Sequence, residues 1–212
     1  MLTTQQALDL LKKGHAEFLA GHTAPVSNKA LIQDLYQNGQ HPFATIITCS
    51  DSRVSPEILF NCRLGDIFVI RTAGNVLSDI DMGSVEYAVG HLHTPLVLVM
   101  GHTHCGAVQS ACAHDSHHHC SPCLQQLLNK IIPSVEIAKT QKNDERDIAD
   151  MAEDLNIENT MQEIIYNPSL KGCESIVYGA KYDIKTAQLL YINHTKIDTN
   201  GGLSFHCLET LL

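Results

Sequence analysis

The sequence contains no apolar run approaching the roughly 20 residues that a transmembrane helix needs, so a membrane-spanning protein is not expected. It is short of basic residues. Lys plus Arg is 14 against 23 for Asp plus Glu, a formal net charge of −9, which argues against nucleic acid or an anionic membrane as the main partner. Internal repeats and low-complexity linkers are missing, so residues 1–212 read as one domain. The opening stretch MLTTQQALDLLKK lacks a basic segment followed by an unbroken apolar run. A secretory signal is therefore not expected, and the chain reads as cytoplasmic.

What is present is a globular composition, 44% apolar and 17% charged, with an unusual count of eight Cys and thirteen His. Eight Cys fit four disulfides in a small secreted domain. A chain of this length, read as cytoplasmic, does not need such staples, so free thiols and metal thiolates are the better reading.

Hydrophobic periodicity predicts a helix over 4–20, with Leu8, Leu11, Phe18 and Leu19 on one face and Thr3 or Thr4 as cap. A second helix is expected over 28–38, stopped by Gly39, so that about 1–38 forms a helical arm. Buried strands are expected at 43–48, 66–70 and 95–100, with a helix over 82–92 and another starting near Cys105. Residues 114–123 (HDSHHHCSPC) read as a polar loop rich in metal-ligand residue types. Ser121-Pro122 should cap a helix running towards Gln141, kinked by Pro133. A turn at 142–147 precedes a helix to about Tyr166, and late strands are expected at 175–179, 189–193 and 203–208. Continuous apolar strands alternating with helices argue for an α/β fold, a mainly parallel central sheet flanked by helices.

Two segments carry candidate chemistry: Cys49-Ser50-Asp51-Ser52-Arg53 and His102-Thr103-His104-Cys105-Gly106. Each follows a predicted buried strand, and ligands gather at the carboxyl ends of strands in open α/β sheets, so the two can meet. Cys49, His102 and Cys105 offer two thiolates and one imidazole, a set that suits zinc. The fourth position falls to Asp51 or to water. Three protein ligands and an open position is the catalytic pattern, in which zinc makes hydroxide near neutral pH. Arg53 can hold Asp51 ionised in a bidentate pair, so that Asp51 orients the hydroxide; released by Arg53, Asp51 could close the site. A cysteine-phosphatase loop is excluded, because three residues between Cys49 and Arg53 are too few to wrap a phosphate.

At these residues the sequence resembles the β-class carbonic anhydrases, whose CxDxR and HxxC motifs appear as Cys49–Arg53 and His102–Cys105. The resemblance implies one zinc ion per chain held by Cys49, His102 and Cys105, with Asp51 and Arg53 as the catalytic dyad. It implies that Gln40 reaches substrate across a dimer interface, that Phe68 and Tyr87 shape the pocket, and that the Gly106 backbone contacts bicarbonate. The expected reaction is reversible hydration of carbon dioxide to bicarbonate and a proton, by attack of zinc-bound hydroxide. Two thiolates should make the bound water less acidic than in a three-histidine site, so activity should rise towards alkaline pH. A homodimer or higher even-numbered homo-oligomer is implied, with the N-terminal helix packing on its neighbour. One branch of the family uses a Trp in a regulatory bicarbonate site; Trp is absent here and Ile46 stands in that place, which favours an open resting site. The insert 114–123 lies outside the family pattern.

Two other functions are open at this point. A related zinc hydrolase acting on carbon disulfide or carbonyl sulfide would carry the same motifs, since fold and site do not fix substrate. A metal-binding module could use Cys120-x-x-Cys123 with His117, His118 and His119, a ligand-like spacing.

Overall fold

The structure is a computed structural model describing residues 2–22, 28–114, 120–196 and 206–207, with the backbone alone described from 191 onwards. Six strands form one sheet in the order β2-β1-β3-β4-β5-β6. They are β1 (Ala44–Cys49), β2 (Ile67–Thr72), β3 (Leu96–His102), β4 (Ile176–Tyr182), β5 (Leu189–Lys196) and β6 (His206–Cys207). The first four in space are parallel, and β5 and β6 add on antiparallel. The mainly parallel α/β architecture is thus observed.

Strand β3 shows why the sheet needs two covers. Leu96, Leu98 and Met100 point to one face with Ile46, while Val97 and Val99 point to the other with Ile47, and all are fully buried. The first face is covered by α1 (Thr4–Leu19) and the short α3 (Pro56–Leu59), through Ala7, Leu8, Leu11, Leu59 and the adjoining Phe60. The second is covered by α4 (Asp79–Gly90) and α7 (Glu145–Ile165), through Val85, Val89, Ile157, Met161 and Ile164. Helices α5 (Gly106–Cys112) and α6 (Pro122–Gln141) pack with α7 around Val108, Leu128, Ile131 and Val135, next to Cys49 and Cys105.

Several expectations are refined or corrected. Helix α1 lays its apolar stripe on its own sheet. Gly14 permits this, because a Cβ there would sit 1.8 Å from the Phe60 carbonyl oxygen. Helix α2 (Lys29–Asn38), capped by Asn28 and ended by Gly39 at φ 79°, buries no residue. Helix α4 starts at Asp79 rather than Met82, because Ser78 and Asp81 form a reciprocal capping box. Pro133 lies inside α6, on its exposed side, while Ile131, Ser134, Val135 and Ala138 hold the buried face. Strands β1, β3 and β4 run further than expected, because the pairs Cys49↔Thr72 and His102↔Tyr182 extend the ladders to the two motifs. The loop at 23–27, the stretch 115–119 with its three histidines, and all but two residues of the expected strand 203–208 lie outside the described residues. Among the described residues, no helix is long and apolar enough to cross a membrane.

Candidate metal centre

Cys49 is the last residue of β1 and His102 the last of β3, and these strands are neighbours in the sheet. Cys105 follows three residues on, as the residue capping α5. The turn between them runs through His104 at φ 57°, which brings the chain back so that Cys105 faces Cys49. The Cys49 and Cys105 Sγ atoms are 4.0 Å apart, and one donor atom from each of Cys49, His102 and Cys105 lies within 4.8 Å of the others. All three residues are buried.

The hydrogen bonds set the donors' roles. His102 Nδ1 lies 3.0 Å from the Thr103 carbonyl oxygen, to which only a protonated nitrogen can bond. That fixes the tautomer and leaves Nε2 as the lone-pair donor. Nε2 is buried and has no hydrogen-bond partner, an orphan that a metal ion would satisfy. The Cys49 thiol is drawn down, chiefly by the hydrogen bond from Cys105 and against its own burial, while that thiolate holds the Cys105 thiol up. A dication would displace the remaining proton and compensate both thiolates. With metal–sulfur bonds of about 2.3 Å, a tetrahedral ion spaces two sulfurs by roughly 3.8 Å, close to the separation here. The donor set therefore fits a zinc-like ion.

Asp51 stands beside these donors. Its Oδ1 accepts from Arg53 Nε and from the Arg53 backbone N–H, each at 2.9 Å, and its Oδ2 accepts from a terminal Arg53 nitrogen at 2.7 Å. The guanidinium holds the Asp51 carboxyl well below the usual carboxylate range. Asp51 Oδ2 is 3.9 Å from His102 Nε2, so the carboxylate borders the donor group while tied to Arg53.

The other sequence-selected residues are placed differently. Gly106 opens α5 directly after Cys105, with open space where a side chain would be. Phe68 pairs with Thr45, four residues before the Cys49↔Thr72 pair, so it lies about 13 Å down the sheet from the thiols of its own chain. It contacts Tyr87, with ring centroids 6.2 Å apart, and Tyr87 is 48% exposed. Gln40 is exposed in the connection between α2 and β1.

Two residues absent from the sequence reading support the centre. Gly74 donates its backbone N–H to Cys49 Sγ at 3.2 Å. Its φ of 72° and the 2.7 Å gap from a would-be Cβ to Ile131 Cδ1 require glycine there, and Gly-Asn after a strand is the turn signal that marks the spot. Arg71 donates to the carbonyls of Cys49 and Asp51, at 3.2 and 2.8 Å, and so clamps the first motif. No local pattern announces that contact.

A family model described as carbonic anhydrase matches residues 44–189, which contain every donor above. Carbonic anhydrase 2 of Mycobacterium tuberculosis is 47% identical over 103 residues, 49% of this chain and 50% of that protein. The carbonic anhydrase of Mycolicibacterium smegmatis is 39% identical over 130 residues, 61% of this chain and 63% of that protein. The chain thus spans about half to two thirds of the length of these relatives. Among solved structures, a Coccomyxa β-carbonic anhydrase in complex with acetazolamide superposes with a TM-score of 0.71 at 25% identity, covering 92% of this chain and 89% of that one. One of two tetrameric β-carbonic anhydrases from Sordaria macrospora gives 0.66 at 25% identity, covering 75% and 89%. On the family match across most of its length, the chain belongs to the β-class carbonic anhydrases.

Proposed function

We propose that the protein catalyses reversible hydration of carbon dioxide to bicarbonate and a proton, with one zinc ion per chain held by Cys49, His102 and Cys105. The observation that carries this reading is the buried, unpartnered His102 Nε2 facing two thiols, with an Arg53-held Asp51 at their edge. A zinc ion bound there supplies Lewis acidity that makes a water oxygen nucleophilic near neutral pH. Asp51 supplies an ionised, acceptor-only carboxylate that takes a hydrogen bond from the attacking oxygen and turns its lone pair towards the carbon. Arg53 holds Asp51 in that orientation and keeps it off the metal position. In this reading the Gly106 backbone N–H, at the start of α5, contacts a bicarbonate oxygen.

Gln40, Phe68 and Tyr87 fit a pocket role through a second protomer rather than their own. Phe68 is about 13 Å along the strand from its own chain's thiols, and Tyr87 is half exposed. Ile32, Tyr36 and Ile80 are at least half exposed as well, at 52%, 90% and 84%, which suits an assembly surface using α2 and the start of α4. A homodimer or a higher even-numbered homo-oligomer follows, with α2 as the arm.

The test measures zinc content and carbon dioxide hydration on one sample, with carbonyl sulfide and carbon disulfide assayed in parallel. Full zinc with carbon dioxide hydration is the expected result. Full zinc with turnover of the sulfur gases alone would replace the substrate and keep the site.

A further inference from the structure

Behind the metal centre, three elements meet at a buried carboxylate that the reaction above does not use. Glu153 of α7 is 5% exposed and splits its two oxygens. Oε1 accepts the backbone N–H of Cys105 at 3.0 Å, and Oε2 pairs with Lys181 Nζ at 3.1 Å. Lys181, on β4, is 4% exposed. Its ammonium is further held by Asp150 Oδ1 at 2.7 Å, the Asp150 carbonyl at 2.9 Å and Asp154 Oδ1 at 3.2 Å.

A buried ion pair is weak evidence for stability, because removing two charges from water offsets most of their attraction. What distinguishes Glu153 is the destination of its second oxygen. Cys105 caps α5 without a side-chain cap of its own; its carbonyl accepts the Gln109 N–H at 2.9 Å, while its own N–H is held by Glu153. We propose that Glu153 is a positioning residue for the metal centre, holding the Cys105 backbone so that its sulfur faces Cys49 and His102, with Lys181 anchoring Glu153 against β4. The inference rests on the metal-site reading above. Outer contacts of this kind commonly change metal affinity about 10- to 100-fold when lost.

A plain ion pair between α7 and β4 and a backbone support for Cys105 respond oppositely to two conservative changes. Glu153→Gln keeps the length and an acceptor oxygen for the Cys105 N–H but removes the charge facing Lys181. Glu153→Asp keeps the charge but shortens the reach by one methylene. Zinc affinity of the full chain is measured by competition with a chromophoric chelator, and the thiolate-to-metal absorption of the cobalt(II) form is recorded. Unfolding of the metal-free proteins checks that each variant folds. Glu163→Ala, on the same helix as Glu153 and paired at the surface with Lys130, serves as control.

The expected result is zinc affinity within about threefold of wild type for Gln and weakened about tenfold or more for Asp, with a shifted cobalt band only in Asp. Weaker binding by Gln than by Asp, or wild-type affinity in both, overturns the role of Glu153. Wild-type protein that binds no zinc, or a Cys49→Ala variant that binds it as tightly as wild type, overturns the site reading itself. The two failures are therefore separable.

Discussion

Two stretches of this chain are rich in thiols and imidazoles, and they differ in what brings their donors together. Cys49 and His102–Cys105 are about fifty residues apart in sequence, yet they end adjacent parallel strands whose ladders set their approach. The stretch from Cys112 to Cys123 packs its donor residues close in sequence instead, at the end of α5 and the start of α6. Its described contacts are local. The Cys120 thiol donates to Gln125 Oε1 at 3.1 Å, and the amide nitrogen of Gln125 lies 3.3 Å from His114 Nε2. Burial pushes the Cys112 thiol up, away from the thiolate a metal requires. Among the described residues, Cys49, His102 and Cys105 are the one group whose donor atoms converge. Among the described residues it is the sheet, and not density of ligand-type residues along the chain, that brings donor atoms together.

The strongest way to break this contrast is to remove a converging donor. Cys49→Ala or Cys105→Ala should take bound metal from about one ion per chain to about none, read by elemental analysis of the purified protein. Retention of the ion in either variant would show that these sulfurs do not hold it. Next come Asp51→Asn and Arg53→Ala, which should retain metal and lose about 100-fold or more in hydration rate. Asn cannot offer an anionic acceptor, and without Arg53 the carboxylate, 3.9 Å from His102 Nε2, is free to turn onto the donor group. Stopped-flow hydration at saturating buffer decides this, and near-wild-type turnover in both variants would remove the dyad from the mechanism.

A smaller effect sharpens the role of the turn that supports Cys49. Gly74→Ala places a methyl 2.7 Å from Ile131 Cδ1 and 3.2 Å from Ala107 Cβ, in a left-handed backbone conformation. Crowding and conformation together should cost about 1–3 kcal/mol, measured by urea unfolding of the metal-free protein. Smaller again is the acid dependence of the Asp51–Arg53 pair. Arg53 lowers the folded-state Asp51 value below that of the unfolded chain. The stability it confers is therefore full above roughly pH 4 and is lost as pH falls from there through the folded-state value. Arg53 is half exposed, so solvent screens the pair and the effect should fall below that of Gly74→Ala. Comparing metal-free wild type with Asp51→Asn across that range should show the gap close on acidification; a gap that widens would reverse the assignment.

How much of this could be read in the sequence follows the same division. The buried runs of β1 and β3 and the two short motifs at their ends name the donors, because apolar strands and ligand residue types are local signals. The carboxyl-end extension of β1 and β3 to the motif residues was not legible, since Cys49 and His102 join their ladders only through partners on other strands. The antiparallel addition of β5 depends on chain reversal through 183–188, which the alternation of strands and helices does not encode. Arg71, Glu153 and Lys181 reach the site from distant positions, and nothing near them in sequence marks that contact. The placement of α1 turned on Gly14, whose close approach to Phe60 becomes visible only once the helix is packed.

The smallest expected effect falls on the other side of the comparison. Cys120→Ser with Cys123→Ser alters the one Cys-x-x-Cys pair in the chain. Cys123 is exposed and Cys120 is partly buried, and serine keeps the donor that faces Gln125. The double variant should hold the same metal per chain as wild type and unfold within about 0.5 kcal/mol of it. Elemental analysis and urea unfolding of the two proteins, purified side by side, provide the check. A second ion per chain in wild type that disappears in the variant would break the contrast, because it would make this stretch a metal site independent of the sheet. An unchanged count leaves metal binding where two parallel strands end side by side.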